Sequence, residues 1–197
     1  MYAFEFIARL NIGVLEDSYI NEIGDLLKGY NYTKQISTPG LAVFSKDISQ
    51  VILEPKQLVL KFASGFSDQT LKGYFEIIEK TVCYIYEIQR ISHCSIRFAD
   101  IFSSENSNAV DTLNSFLNLD MKDDKFKKFD GVGFRFLSKH DKSFEEFKIE
   151  PFLKDMNILY VEGFFNCDVS QSKINVDLIN NYYEVFKENI NKFLNVD

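Results

Sequence analysis

The feature that most narrows the fold of this 197-residue chain is a hairpin text that occurs twice. FSKDISQVILEP, Phe44 to Pro55, and LSKHDKSFEEFKIEP, Leu137 to Pro151, share one plan. Each runs from an apolar residue and Ser-Lys, through a polar turn carrying Asp, into an apolar segment that closes on Glu-Pro. Strand-type residues on both sides of a short polar turn mark an antiparallel hairpin. The second copy is longer: nine residues separate Ser45 from Glu54 and twelve separate Ser138 from Glu150. One plan used twice in one chain predicts an internal duplication.

The order of the elements around the hairpins agrees. Ala3 to Ile12 alternates Phe4, Phe6, Ala8, Leu10 and Ile12 with Glu5, Ile7, Arg9 and Asn11, the period of a strand with one buried face. Ile20, Ile23, Leu26, Leu27 and Tyr30 follow at helical spacing, with Asp17 or Ser18 placed to cap the start and Gly29 to end it. Leu41 to Lys46, Ser49 to Glu54 and Gln57 to Ala63 predict an antiparallel meander, and Tyr32 to Ile36 a further edge strand. From Asp68, the residues Leu71, Tyr74, Phe75, Ile78, Val82, Ile85 and Ile88 define a helix of about six turns.

The second half repeats the order. Ser92 to Phe102 alternates Cys94, Ile96 and Phe98 with His93, Ser95 and Arg97. A short helix carries Val110, Leu113, Phe116 and Leu117, with Ser107 or Asn108 as its cap. Gly131 to Ser138, Phe144 to Glu150 and Asn157 to Phe165 predict three strands, and Val176 to Leu194 a long closing helix. The expected architecture is α+β. Two tandem β-α-β-β-β-α units, residues 1–90 and 91–197, form one compact domain with a curved antiparallel sheet covered by two long helices. Pairing the units removes an exposed sheet edge and enlarges the core. The layout resembles the TATA-binding-protein-like and helix-grip folds, and an analogy of fold carries no function.

Composition bounds the partners. An apolar share of 46% is ample for a core. No run of about 18 apolar residues predicts a membrane span. The opening MYAFEFIARLNIG carries Glu5 and Arg9 within its apolar stretch and does not read as a signal peptide, which predicts a cytoplasmic chain. Cys83, Cys94 and Cys167, odd in number and each in an apolar segment, read as reduced core thiols. Eighteen Lys against four Arg, with much Asn, Ile and Phe, is what AT-rich coding produces and points to a low-GC prokaryote or its phage. The net charge of −7 divides as −2 over residues 1–100 (10 basic, 12 acidic) and −5 over the rest (12 basic, 17 acidic). Duplex binding draws on Lys and Arg that neutralise phosphates, so nucleic acid is not an expected partner. The Lys-rich stretch DMKDDKFKKFD holds as many Asp as Lys and reads as a charge-balanced loop.

Chemistry-bearing patterns are few. His93 and Cys94 are strand neighbours whose side chains point to opposite faces, so they form no dyad within that strand. His140 sits in a hairpin turn. No HxxxH, CxxC or HExxH spacing occurs, so neither a metal nor another cofactor is expected. Gly131-Val132-Gly133 leads into a strand and lacks the helix start of a phosphate loop. Asp100, Glu162 and Asp168 are the acidic residues that a sheet can gather. Arg97 stands opposite Cys94, Ile96 and Phe98, where it either joins Arg9 and His93 in holding an anionic ligand or partner, or makes ion pairs with Glu5 or Glu162. Arg135 is a second cation of this kind. Phe164, Tyr182, Tyr183 and Phe186 either line an apolar pocket beneath the closing helix or fill the core or a dimer interface.

The strand IQRISHCSIRFADIF resembles the signature segment of a sporadically distributed prokaryotic family with no established activity. Its members carry a stretch of the type Ile-x-Arg-Ile-Gly-Leu-Arg-Tyr-Ile-Asn after a long helix. Arg90, Ile91, Ile96, Arg97 and Phe98 match in kind, and AFEFIARL and LYVEGFFNCDVS stand where comparable strands do. The resemblance implies architecture and a patchy inheritance typical of mobile-element or defence genes, and no mechanism. The expectation is a non-enzymatic module that binds another protein or a second copy of itself. The alternative is a carrier of a small apolar or anionic ligand between sheet and long helix.

Overall fold

The computed structural model describes residues 1–63, 67–87, 90–103, 109–117, 132–140, 143–170 and 173–194. They form an α+β structure with four helices and one open sheet of nine strands. In chain order these are β1 (Ala3–Arg9), α1 (Asp17–Lys28), β2 (Thr33–Thr38), β3 (Leu41–Lys46), β4 (Ser49–Glu54), β5 (Gln57–Ala63), α2 (Asp68–Tyr86), β6 (His93–Ser103), α3 (Ala109–Leu117), β7 (Phe134–His140), β8 (Ser143–Phe152), β9 (Asp155–Asp168) and α4 (Val176–Leu194). Across the sheet the order is β2-β3-β4-β5-β1-β6-β9-β8-β7, and every neighbouring pair is antiparallel.

Strand alternation sets which face becomes the core. Phe4, Phe6 and Ala8 of β1, Leu58, Leu60 and Phe62 of β5, Cys94, Ile96 and Phe98 of β6, and Val161, Phe165 and Cys167 of β9 all point to one side and are buried. The helices contribute their buried side chains to the same cluster: Ile20 and Ile23 of α1, Phe75 and Ile78 of α2, Leu113 of α3, and Ile179 and Phe186 of α4. Phe98 sits at its centre, stacked on Phe4 at 5.0 Å and on Phe186 at 5.7 Å between ring centroids.

The expected edge strand is present as Thr33–Thr38, which pairs with β3 as the outermost strand, so the first half has four strands after its helix where the second has three. Several other expectations need correction. The first helix is capped one residue earlier than expected: Glu16 is the N-cap, with no side-chain hydrogen bond, and Asp17 opens the first turn. β1 stops at Arg9, short of Ile12. β9 extends well beyond Asn157 to Phe165, because its alternating burial continues through Cys167. The expected caps Ser107 and Asn108 and the charged stretch of residues 120–130 lie outside the described residues. Among the described residues no helix is long and apolar enough to cross a membrane.

Candidate functional site

The second face of the sheet is the candidate site, because its side chains lie outside the core. Ile7, Val43, Ile52, Phe144 and Phe164 point away from the cluster that the helices cover. Register aligns these side chains into rows that cross the strands. One row runs Ile36, Val43, Ile52, Val59, Ile7 over β2, β3, β4, β5 and β1, then continues as Ser95, Asn166, Phe144 and Lys139. Its first five members are all β-branched and apolar. At a strand spacing of about 4.8 Å they make a stripe about 19 Å long. Val59, its fourth member, is 6% exposed, and Ile36, at the sheet edge, is 43% exposed.

The adjacent row is polar over the same strands: Thr33, Ser45, Gln50, Lys61 and Glu5, then Arg97, Phe164, Glu146 and Leu137. At its centre the Arg97 guanidinium is held from several sides. Its Nε donates to Glu162 Oε2 at 2.9 Å, and its Nη2 donates to the Tyr160 hydroxyl at 3.0 Å and lies 2.8 Å from Glu162 Oε2. Glu5 is 3.7 Å from Nη1, and Lys61 reaches Glu5 at 3.4 Å. Tyr160 in turn donates to Glu162. Burial, and after it the Glu162 carboxylate, push the Tyr160 phenol up to about 12. An incoming anion at Arg97 therefore competes with two carboxylates already in place, and the ion-pair alternative describes this residue.

The other cations do not converge on it. Arg9 shares the face but lies four residues from Glu5 along β1, about 13 Å at strand rise, opposite Gln57. Arg135 donates to Glu146 Oε1 at 3.0 Å. His93 Nδ1 hydrogen-bonds the Ser92 hydroxyl at 2.9 Å and stands opposite Asp168. Nor do the three acidic residues meet. Asp100 faces the covered side and holds the amino terminus of Met1 at 3.2 Å, Glu162 serves Arg97 on the other face, and Asp168 lies six residues from Glu162 along β9, accepting from the Ser170 amide. Among the described residues, no three His, Cys, Asp or Glu side chains could together hold a metal ion.

The four candidate pocket aromatics divide between the faces. Phe164 is on the open side, 5.5 Å from Phe144, so it cannot join a pocket under α4. Tyr183 and Phe186 are buried against Phe98, and Tyr182 lies 4.8 Å from Phe165. Open space occurs beside them instead, in a cleft of about 320 Å³ lined by Phe136, Ser138, Glu145, Phe147, Phe165 and Asn189.

Two features were missed by the sequence reasoning. Tyr160 completes the Arg97 cluster, and its position two residues before Glu162 on one strand was the available signal. The β-branched stripe requires the register of five strands, which no local pattern gives. No family model matches the chain, and no curated protein matches it.

Proposed function

We propose that the chain is a non-enzymatic interaction module that binds another protein, or a second copy of itself, through the open face of its sheet. The observation that carries this is the stripe Ile36–Val43–Ile52–Val59–Ile7, an apolar row on a face that lies outside the core and is bordered by the polar row from Thr33 to Glu5. Four of the stripe's five side chains are exposed or half-buried, and apolar surface rimmed by polar residues is what protein partners cover. The charge balance speaks for a protein partner over nucleic acid, since Lys61, Arg97 and Arg135 of this face are each matched by a carboxylate. The module works in the cytoplasm of a low-GC prokaryote or its phage, consistent with its composition.

A duplicated origin fits this reading. The hairpins β3–β4 and β7–β8 occupy equivalent places, since the order β3-β4-β5-β1 in one half corresponds to β7-β8-β9-β6 in the other. Their closing pairs, Lys46 with Ser49 and His140 with Ser143, each leave two residues for the turn.

Native mass spectrometry of the protein taken from its own host, beside the Ile52→Lys variant, tests the proposal. The expected spectrum carries a second polypeptide, a copy or a partner, that is lost in the variant at unchanged thermal stability. A bare monomer at every concentration would remove the proposal. A retained small molecule would favour the carrier alternative, for which the cleft beside Phe147 and Asn189 is the available space.

A further inference from the structure

The open face makes no use of the cysteines. Cys94 on β6 and Cys167 on β9 stand directly opposite each other on the covered side, free, and exposed by only 2% and 3%. Their ladder runs without a register shift from His93 with Asp168 to Ser103 with Ile158, and at its end the Val169 amide donates to the Ser92 carbonyl at 2.8 Å. Hydrogen-bonded and non-hydrogen-bonded pairs alternate along an antiparallel ladder, so Cys94 with Cys167, two steps from Ser92 with Val169, is of the hydrogen-bonded class. Its Cα atoms are then about 5.5 Å apart. That separation lies within the range a disulfide bridges, and both Cβ atoms project from the same face of the sheet.

We propose that Cys94 and Cys167 are a redox pair that closes to a cross-strand disulfide when the protein meets hydrogen peroxide and reopens when a thiol reductant is present. The two side chains hydrogen-bond each other, and Tyr182 of α4 reaches Cys167 as well. The bond from Cys94 holds the Cys167 thiol below its ordinary range, with burial opposing, Tyr182 assisting and Glu145 opposing. That same pairing, with burial, pushes the Cys94 thiol up. Cys167 stands two residues from the cleft-lining Phe165 on β9, whereas Cys94 lies one strand farther from that cleft, so Cys167 is the attacking sulfur. The cleft lined by Glu145 and Phe165 brings solvent to the residues beside it.

The chemistry balances with peroxide as the sole oxidant. The Cys167 thiolate attacks one peroxide oxygen, the O–O bond breaks, and the departing hydroxide takes up the thiol proton as water, leaving Cys167 as a sulfenic acid. The Cys94 sulfur then attacks that sulfur. The S–O bond breaks, the S–S bond forms, and the hydroxyl leaves with the Cys94 proton as a second water. Two thiols lose two electrons and two protons, and peroxide accepts both.

The test uses the folded Cys83→Ser protein, which keeps the pair and removes the exposed third thiol. After peroxide treatment, denaturation and alkylation, the expected result is a loss of two hydrogen atoms with no alkylation at Cys94 or Cys167. A peptide linking the two appears without reductant and disappears with dithiothreitol. In the Cys83→Ser, Cys94→Ser protein, Cys167 should stop at a sulfenic acid captured by a dimedone-type probe. The proposal fails if both cysteines remain alkylatable, if each oxidises singly to a sulfinic acid, or if the link forms as fast in urea as in the folded protein. The first arm stands even if the double variant does not fold.

Discussion

The ring of Phe186 lies against the backbone of Gly163, in the space where any side chain at that position would stand. A Cβ placed on Gly163 would meet Phe186 Cδ2 at 2.6 Å and Phe165 Cε2 at 3.2 Å. Gly163 is flanked across the strands by Phe98 and Phe147, so one strand glycine admits α4 onto the middle of the sheet. Gly163→Ala should lower stability by about 1–3 kcal/mol, the cost of overpacking a filled core. The thermal midpoint should fall by several degrees. Gly73→Ala, within α2 and with nothing within 4 Å of its new Cβ, should instead stabilise by up to about 1 kcal/mol. Equal effects at the two glycines would refute the packing explanation.

Helix starts give a second pair of opposed expectations. Ser67 caps α2 by accepting from the Thr70 amide at 3.2 Å, whereas Glu16 leaves the start of α1 without a side-chain bond. Ser67→Ala should cost about 1 kcal/mol, and Glu16→Asp, whose shorter carboxylate can turn back to the helix amides, should add about 0.5–1 kcal/mol. Urea unfolding checks both: the midpoints should move in opposite directions with the slope unchanged.

Much of this architecture is legible in the residues themselves. The bounds of β3, β4, β5 and α4 coincide with the ranges expected for them, because Asp47, Pro55 and the apolar periodicity mark those ends locally. The edge strand β2 was harder to place, since all six of its residues are exposed and carry no burial period. The candidate site was legible in part. Arg97 and its carboxylates could be named from alternation, but the distance between Arg9 and Arg97 depends on which residues pair. Phe164, Tyr182, Tyr183 and Phe186 read as one aromatic group in the sequence, although strand geometry sends Phe164 to the face opposite its neighbour Phe165. Cys94 and Cys167 are 73 positions apart, and only register brings them together.

The Arg97 cluster predicts a coupled loss. Arg97→Leu leaves Glu5 and Glu162, on the two strands that flank β6, without the cation between them, and Glu162→Gln removes the charge from the other side. Arg97 is 40% exposed, so solvent screens the pair and the coupling energy should be about 1 kcal/mol. A double-mutant cycle by chemical denaturation measures it. Strictly additive single effects would show that the ion pair contributes nothing to stability.

Alkali should find the same cluster through its phenol. Burial and then the Glu162 carboxylate push Tyr160 up to about 12, and burial and then Glu22 push Tyr84 to about 12. Tyrosine in an unfolded chain titrates near 10. Each phenol therefore keeps its proton more firmly in the folded protein, which adds stability that is fully present below about pH 10 and is lost as pH rises through about 12. Stability measured by urea midpoint should decline across that window. Tyr160→Phe and Tyr84→Phe should each make the decline shallower, since Phe has no proton to lose. A decline of unaltered steepness in both variants would refute the assignment to these two phenols.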